Sequence, residues 1–123
     1  PILAIPGMRQ AIRASGAPVI AVTPIIGGKA VKGPTAKIMA ELGIAPDALS
    51  IAKHYDGLID GFVLDAQDEA LISQIPAATT VTNTLMRSLD DKVALARICL
   101  AFCKRLVKEA RSSTSRELER AAT

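Results

Sequence analysis

An α/β fold on a parallel sheet is what this chain predicts, and three observations carry that reading. Short runs rich in apolar and β-branched residues lie at Val19–Thr23, Ile59–Leu64 and Thr79–Thr82. A helical pattern follows each run, the order that builds a parallel sheet by crossover connections. Finally, half the residues are hydrophobic while the aromatics are only Tyr55, Phe62 and Phe102, so the core must be Ile, Leu, Val and Ala. Such runs, apolar without alternation, suit strands covered on both faces.

The elements follow in order. Pro6 suits a first helical position and Gly16 the residue just past a helix end, which brackets a first helix with Met8, Ala11 and Ile12 on one face. Val19–Thr23 is the first strand. The segment Thr23-Pro-Ile-Ile-Gly-Gly-Lys-Ala-Val-Lys-Gly-Pro-Thr35 reads as the turn at its carboxyl end. A helix then runs from about Pro34 to Leu42 and closes at Gly43. Ala48 to Tyr55 is a shorter helix capped by Asp47. The second strand leads into a helix over Ala66–Ile75, with Asp65 at its N-cap. The third strand precedes Ser88-Leu-Asp-Asp91, a helix-capping pattern. The last helix carries an apolar stripe spaced alternately four and three, from Leu89 through Leu100 and Cys103 to Ala110, widened by Leu95, Ile98, Phe102 and Leu106. It is expected to be buried along a broad face. From Ser112 the chain turns polar and is expected to fray, which divides it into 1–111 and a tail over 112–123.

Length and charge exclude several classes. A chain of 123 residues is at most one domain. It starts at Pro1 and runs straight into Ile-Leu-Ala-Ile, which reads as a start in mid-domain, with partner strands supplied by preceding sequence. A net charge of +3 is mild, and a nucleic-acid reader would show a denser basic face and more aromatics for stacking. No run approaches a membrane span of about 20 apolar residues, so neither nucleic acid nor membrane is an expected partner. Cys99 and Cys103 stand i,i+4 and read as two structural thiols in a reducing, cytoplasmic setting.

The candidate site starts from the loop after the first strand. In open α/β sheets ligands bind at the carboxyl ends of the strands. Gly27, Gly28 and Gly33 let the backbone come close to a ligand, and Lys29 and Lys32 bring positive charge, a combination that suits an anionic, phosphorylated metabolite. The plainer alternative is a tight connection with solvated lysines. The glycine spacing is that of a P-loop, but Pro34-Thr35 stands where Lys and Ser/Thr are needed. Asp65 at the end of the second strand could hold Mg²⁺ or a ribose hydroxyl, though a plain N-cap is the simpler role. Asn83-Thr84 occupies the matching place after the third strand, as a ligand contact or a turn cap. His54, the sole histidine, has no nearby partner in sequence.

These blocks together resemble one family. Pro1-Ile-Leu-Ala-Ile-Pro-Gly-Met-Arg-Gln-Ala-Ile12 and, above all, Ala17-Pro-Val-Ile-Ala-Val-Thr-Pro-Ile-Ile-Gly-Gly-Lys-Ala-Val-Lys-Gly-Pro34 resemble segments of the 2-phospho-L-lactate transferases of coenzyme F420 biosynthesis. Ala52-Lys-His-Tyr55, Gly61-Phe-Val-Leu-Asp65 and Asn83-Thr-Leu-Met86 are similar to its later blocks, in the same order. The resemblance covers Pro1 to about Lys104. Thr23 stands where Ser is usual.

The resemblance implies a Rossmann-like three-layer sheet, of which this chain holds about three strands, the C-terminal portion of a transferase domain. It implies transfer of a phospholactyl or phosphoenolpyruvyl group from a guanosine-diphosphate-linked donor to the deazaflavin Fo, with Mg²⁺ assisting, in a protein expected to be a homodimer when intact. It also implies a nucleotide-side loop of Pro24, Gly27, Gly28, Lys29, Lys32, Gly33 and Pro34. Nothing here matches the family's N-terminal metal-binding aspartates or its Fo-holding residues, so the Mg²⁺ ligands are expected outside this chain and the chain alone is expected to be inactive. Two alternatives stand beside this: a non-catalytic nucleotide-binding or assembly module, and a relative of the nucleotide-sugar-binding gluconeogenesis factors.

Overall fold

A computed structural model describes residues 2–30 and 34–122. In chain order come a 3-10 turn (Ile2–Ala4), α1 (Met8–Ala14), β1 (Ile20–Val22), β2 (Ile25–Ile26) and β3 (Lys29–Ala30). Then follow α2 (Thr35–Glu41), α3 (Ala48–His54), β4 (Gly61–Asp65), a 3-10 segment (Ala66–Gln74), β5 (Ala78–Thr82) and α4 (Leu89–Ala122).

The three predicted strands form one parallel sheet in the order β1-β4-β5. Gly61 is the register mark, opposite Ile20 on one side and Ala78 on the other. β4 starts at Gly61 rather than Ile59, because Leu58 and Ile59 still donate to the Tyr55 carbonyl at the end of α3. Asp60 closes the sheet just before that point. Its N–H donates to the Val19 carbonyl at 2.7 Å, and its carboxylate accepts from the Val19 N–H at 2.8 Å.

Strand period explains the two cores. Successive side chains of β4 point to opposite faces. Phe62 and Leu64 are fully buried with Ala48, Ala52 and Ile75, under α3 and the 3-10 segment. Val63 faces the other way and packs with Leu95 and Phe102 of α4. Burying each such side chain contributes roughly 1.5–3 kcal/mol. The layered arrangement is that of a partial Rossmann-like α/β fold.

Helix ends follow the local chemistry. Asp47 caps α3 by accepting from the Ser50 N–H at 2.7 Å. α2 stops at Gly43, whose φ of 70° allows the Gly43 and Ile44 N–H groups to reach the Ala40 and Met39 carbonyls. Ser88 caps α4 by accepting from the Asp91 N–H at 3.2 Å, while Asp91 accepts from the Arg87 N–H at 2.9 Å.

Several expectations change. α1 begins at Met8, with Pro6 and Gly7 before it. The segment after β4 is 3-10 and kinks at Asp68, whose carboxylate accepts from the Gly27 N–H of the neighbouring hairpin. α4 is not buried along a broad face: only Leu95 and Phe102 are buried, and the stripe residues Leu89, Val93 and Leu100 are exposed. The three-stranded sheet is too narrow to cover a second face of the helix. The polar segment from Ser112 continues the same helix to Ala122, with its side chains exposed, as its Arg, Glu, Leu and Ala content favours.

Candidate functional site at the carboxyl edge of the sheet

The predicted loop is itself structured. Thr23 follows β1 and is buried, with its N–H donating to the Val63 carbonyl at 2.9 Å. Its hydroxyl both donates to the Ile25 carbonyl and accepts from the Ile25 N–H, which turns the chain after Pro24. β2 and β3 then pair as an antiparallel hairpin around Gly27-Gly28. Both glycines have positive φ, 56° and 83°, as a two-residue hairpin turn that keeps the strand twist requires. The glycines are therefore accounted for by the turn alone. Gly-Gly between Ile-Ile and Lys-Ala was a readable hairpin signal.

This hairpin leans over the end of β4. The Gly27 N–H donates to Asp68 Oδ2 at 3.1 Å. A Cβ on Gly27 would lie 3.2 Å from Gln67 Oε1, so the two turns touch. Lys29 is exposed on β3, at the foot of the tip. Pro34, at the start of α2, is exposed. Lys32 and Gly33 lie outside the described residues.

Asp65 stands at the centre of this edge. Its Oδ1 accepts from the Gln67 N–H at 3.0 Å, which caps the 3-10 segment. Its Oδ2 accepts from the Thr84 N–H at 3.0 Å and the Thr84 hydroxyl at 3.2 Å. The carboxylate thus ties the end of β4 to the turn after β5. Burial alone would push its pKa up, but the bonds from Gln67 and from the Thr84 amide and hydroxyl outweigh it and hold the carboxyl below its ordinary value. The cap expected from sequence is there; the cross-link to Thr84 is not something sequence showed. Asn83 is exposed and accepts from the Leu85 N–H at 3.2 Å, a turn cap.

The edge therefore gathers Pro24, Gly27, Gly28 and Lys29 with Asp65, Gln67, Asp68 and the Asn83-Thr84 turn. Sequence reasoning passed over Gln67 and Asp68, and read Thr84 with Asn83 as a ligand contact or turn cap without its bond to Asp65; the closely spaced acids of Asp65-Ala-Gln-Asp68 were the available signal. Among the described residues this edge offers a ligand the Lys29 ammonium beside exposed backbone, suited to an anion. Among the described residues, grooves of about 780–860 Å³ lie elsewhere; Pro24 and His54 line the apolar one beside the outer edge of β1. His54 is exposed and sits edge-on to Tyr55. Cys99 and Cys103 are free thiols; burial, with Cys103 nearby, pushes the Cys99 thiol up. Among the described residues no three His, Cys, Asp or Glu side chains come together as a metal site. No helix among them is long and apolar enough to cross a membrane.

The family model described as 2-phospho-L-lactate transferase CofD matches residues 1–96. A 2-phospho-L-lactate transferase of Methanocaldococcus jannaschii is 36% identical over 103 residues, 84% of this chain and 32% of the relative. Phosphoenolpyruvate transferases of Streptomyces griseus and Streptomyces coelicolor are each 35% identical, over 84% and 89% of this chain and 34% and 35% of their own lengths. The chain spans about a third of the length of these curated relatives.

Proposed function

The chain belongs to the 2-phospho-L-lactate transferase CofD family, and on that footing we propose that it forms the donor-side part of such a transferase. In this reading a phospholactyl or phosphoenolpyruvyl group passes from a guanosine-diphosphate-linked donor to the deazaflavin Fo. The Fo hydroxyl oxygen forms the new bond to phosphorus, the phosphoanhydride bond breaks, GMP leaves and the hydroxyl proton is lost.

One observation supports the loop's part in this: the Gly27–Asp68 hydrogen bond holds a lysine-bearing hairpin over the sheet edge where α/β folds take ligands. Lys29 would hold the diphosphate as a point charge, with Pro24, Gly27, Gly28 and the following Lys32, Gly33 and Pro34 shaping the approach. Asp65 and Asn83 hold the neighbouring turns, since their hydrogen bonds serve the backbone and Thr84. Among the described residues no cluster of acidic side chains suits Mg²⁺, and in this reading its ligands would come from elsewhere in the protein. A cytoplasmic homodimer for the intact protein belongs to the same reading.

Donor and acceptor binding to the complete transferase test it. A charge-assisted hydrogen bond to phosphate contributes roughly 1.5–3 kcal/mol, so Lys29→Ala and Lys32→Ala should each weaken donor binding by about tenfold or more. Fo binding, which involves no donor phosphate, should hold within about twofold. Donor binding unchanged in both variants would leave the lysines as solvated turn residues and end the proposal.

A further inference from the structure

The hairpin of β2 and β3 is fixed at its two ends by different means. At its root Ile25 is fully buried, and the Thr23 hydroxyl bonds both the N–H and the carbonyl of Ile25. At its tip stands Gly27-Gly28, and a two-residue turn closes only the flanking pair, Ile26 with Lys29. The Gly27 N–H takes its acceptor from outside the hairpin: it donates to Asp68 Oδ2 at 3.1 Å, 41 residues along the chain.

Asp68 is itself held to meet it. Every residue of β4 is buried, and Asp65 at its end accepts from the Gln67 N–H at 3.0 Å. Asp68 follows at the kink of the 3-10 segment, half-buried, with φ −105° and ψ 15°. Among the described residues it forms no ion pair, and its carboxylate accepts only from Gly27. Lys29 comes directly after the tip, so the bond that holds Gly27 also sets where the Lys29 side chain leaves the backbone.

We propose that Asp68 is a positioning residue of the donor site: it latches the hairpin tip so that Lys29 stands ready for the donor diphosphate. This rests on the donor-side reading of the loop. A carboxylate accepting a backbone N–H makes a charge-assisted bond, stronger than a neutral one. A lysine on a latched turn has less freedom to lose when it binds an anion than one on a swinging turn. Charge disfavours a direct bond from Asp68 to the diphosphate, since like charges brought together repel.

The test uses the complete transferase and measures two affinities, for the tighter of the phospholactyl and phosphoenolpyruvyl guanosine donors and for Fo. Asp68→Ala should weaken donor binding about fivefold and leave Fo binding within about twofold. Asp68→Asn, whose amide oxygen can still accept from Gly27, should recover most of the loss. The double variant Lys29→Ala with Asp68→Ala should bind donor no more weakly than Lys29→Ala alone, because a latch has nothing to position once the lysine is gone. Donor binding weakened by Lys29→Ala but not by Asp68→Ala would overturn the latch and leave the donor-side loop standing. Fully additive losses in the double variant would give Asp68 a role of its own and overturn the latch as well. So would equal losses of donor and Fo binding in Asp68→Ala, the mark of a general structural defect. Donor binding untouched by Lys29→Ala would remove that lysine from the donor-side reading itself, and the latch would fall with it.

Discussion

Gly61 lies directly under the ring of Phe102: a Cβ on Gly61 would come within 2.5 Å of Cζ and 2.7 Å of Cε2. This contact fixes how closely α4 approaches the middle strand. Phe102 is only 2% exposed, so the ring has nowhere to move. Arg105, one turn on, stacks its guanidinium 4.8 Å from the same ring and donates to Thr80 Oγ1 at 3.1 Å. The helix is thus anchored to β4 by shape and to β5 by a hydrogen bond.

Gly61→Ala should therefore destabilise the chain by about 1–3 kcal/mol, the usual cost of overpacking a filled core. Shortening the ring should relieve it, so Gly61→Ala with Phe102→Leu should lose less than the two single losses added together. Urea unfolding of the four proteins measures this. Strict additivity would mean that the two residues do not meet as described.

Asp65 sets a pH dependence. Its carboxyl titrates below its ordinary value in the fold, so its contribution is present above the unfolded pKa of about 4 and is lost as pH falls through the folded value. Asp65→Ala leaves the buried Thr84 N–H and hydroxyl without their acceptor and should cost about 1–3 kcal/mol at neutral pH. The stability gap between wild type and variant should narrow in acid. Denaturation curves taken near pH 7 and near pH 3 compare the two proteins. A gap that stays constant would remove the carboxylate from the explanation.

The hairpin tip predicts a specific pattern of tolerance. Gly28 has φ of 83°, and a Cβ there would make only ordinary contact, 3.9 Å from the Pro46 carbonyl oxygen, so Gly28→Asn should cost less than Gly28→Val, because Asn enters the left-handed region far more readily. Gly27→Ala meets both a positive φ and the Gln67 side chain at 3.2 Å, so it should cost more than Gly28→Ala. Each loss should be on the order of 1 kcal/mol. Thermal unfolding ranks the four variants, and equal costs at Gly27 and Gly28 would show that the two turns do not touch.

Much of the architecture was legible because it depends on period and local chemistry. The unalternating Phe62-Val63-Leu64 run announced a strand covered on both faces, and all three side chains are fully buried. Asp47, Asp65 and Ser88 were readable as caps because a short side-chain oxygen before a helix has few other uses. The carboxyl-edge location of the Gly/Lys loop followed from its place after a strand. The 3-10 form of 66–74 and the hairpin inside the loop were harder, since apolar spacing over so few residues does not separate one compact turn from another.

What the sequence by itself determined is the three strands of the main sheet, the helical segments between them, the parallel pairing and the family, all of which follow from local pattern and motif order. Only the tertiary structure decided which residues meet. Thr84 finds Asp65 from 19 residues away, Gly27 finds Asp68 from 41, and the Phe102 ring settles on Gly61. Of the two apolar faces on α4, the register of a narrow sheet chose Leu95 and Phe102 and left Leu100 outside. Period tells a helix that it has an apolar face, but the shape opposite decides which face is taken, and that shape exists only once the strands have paired.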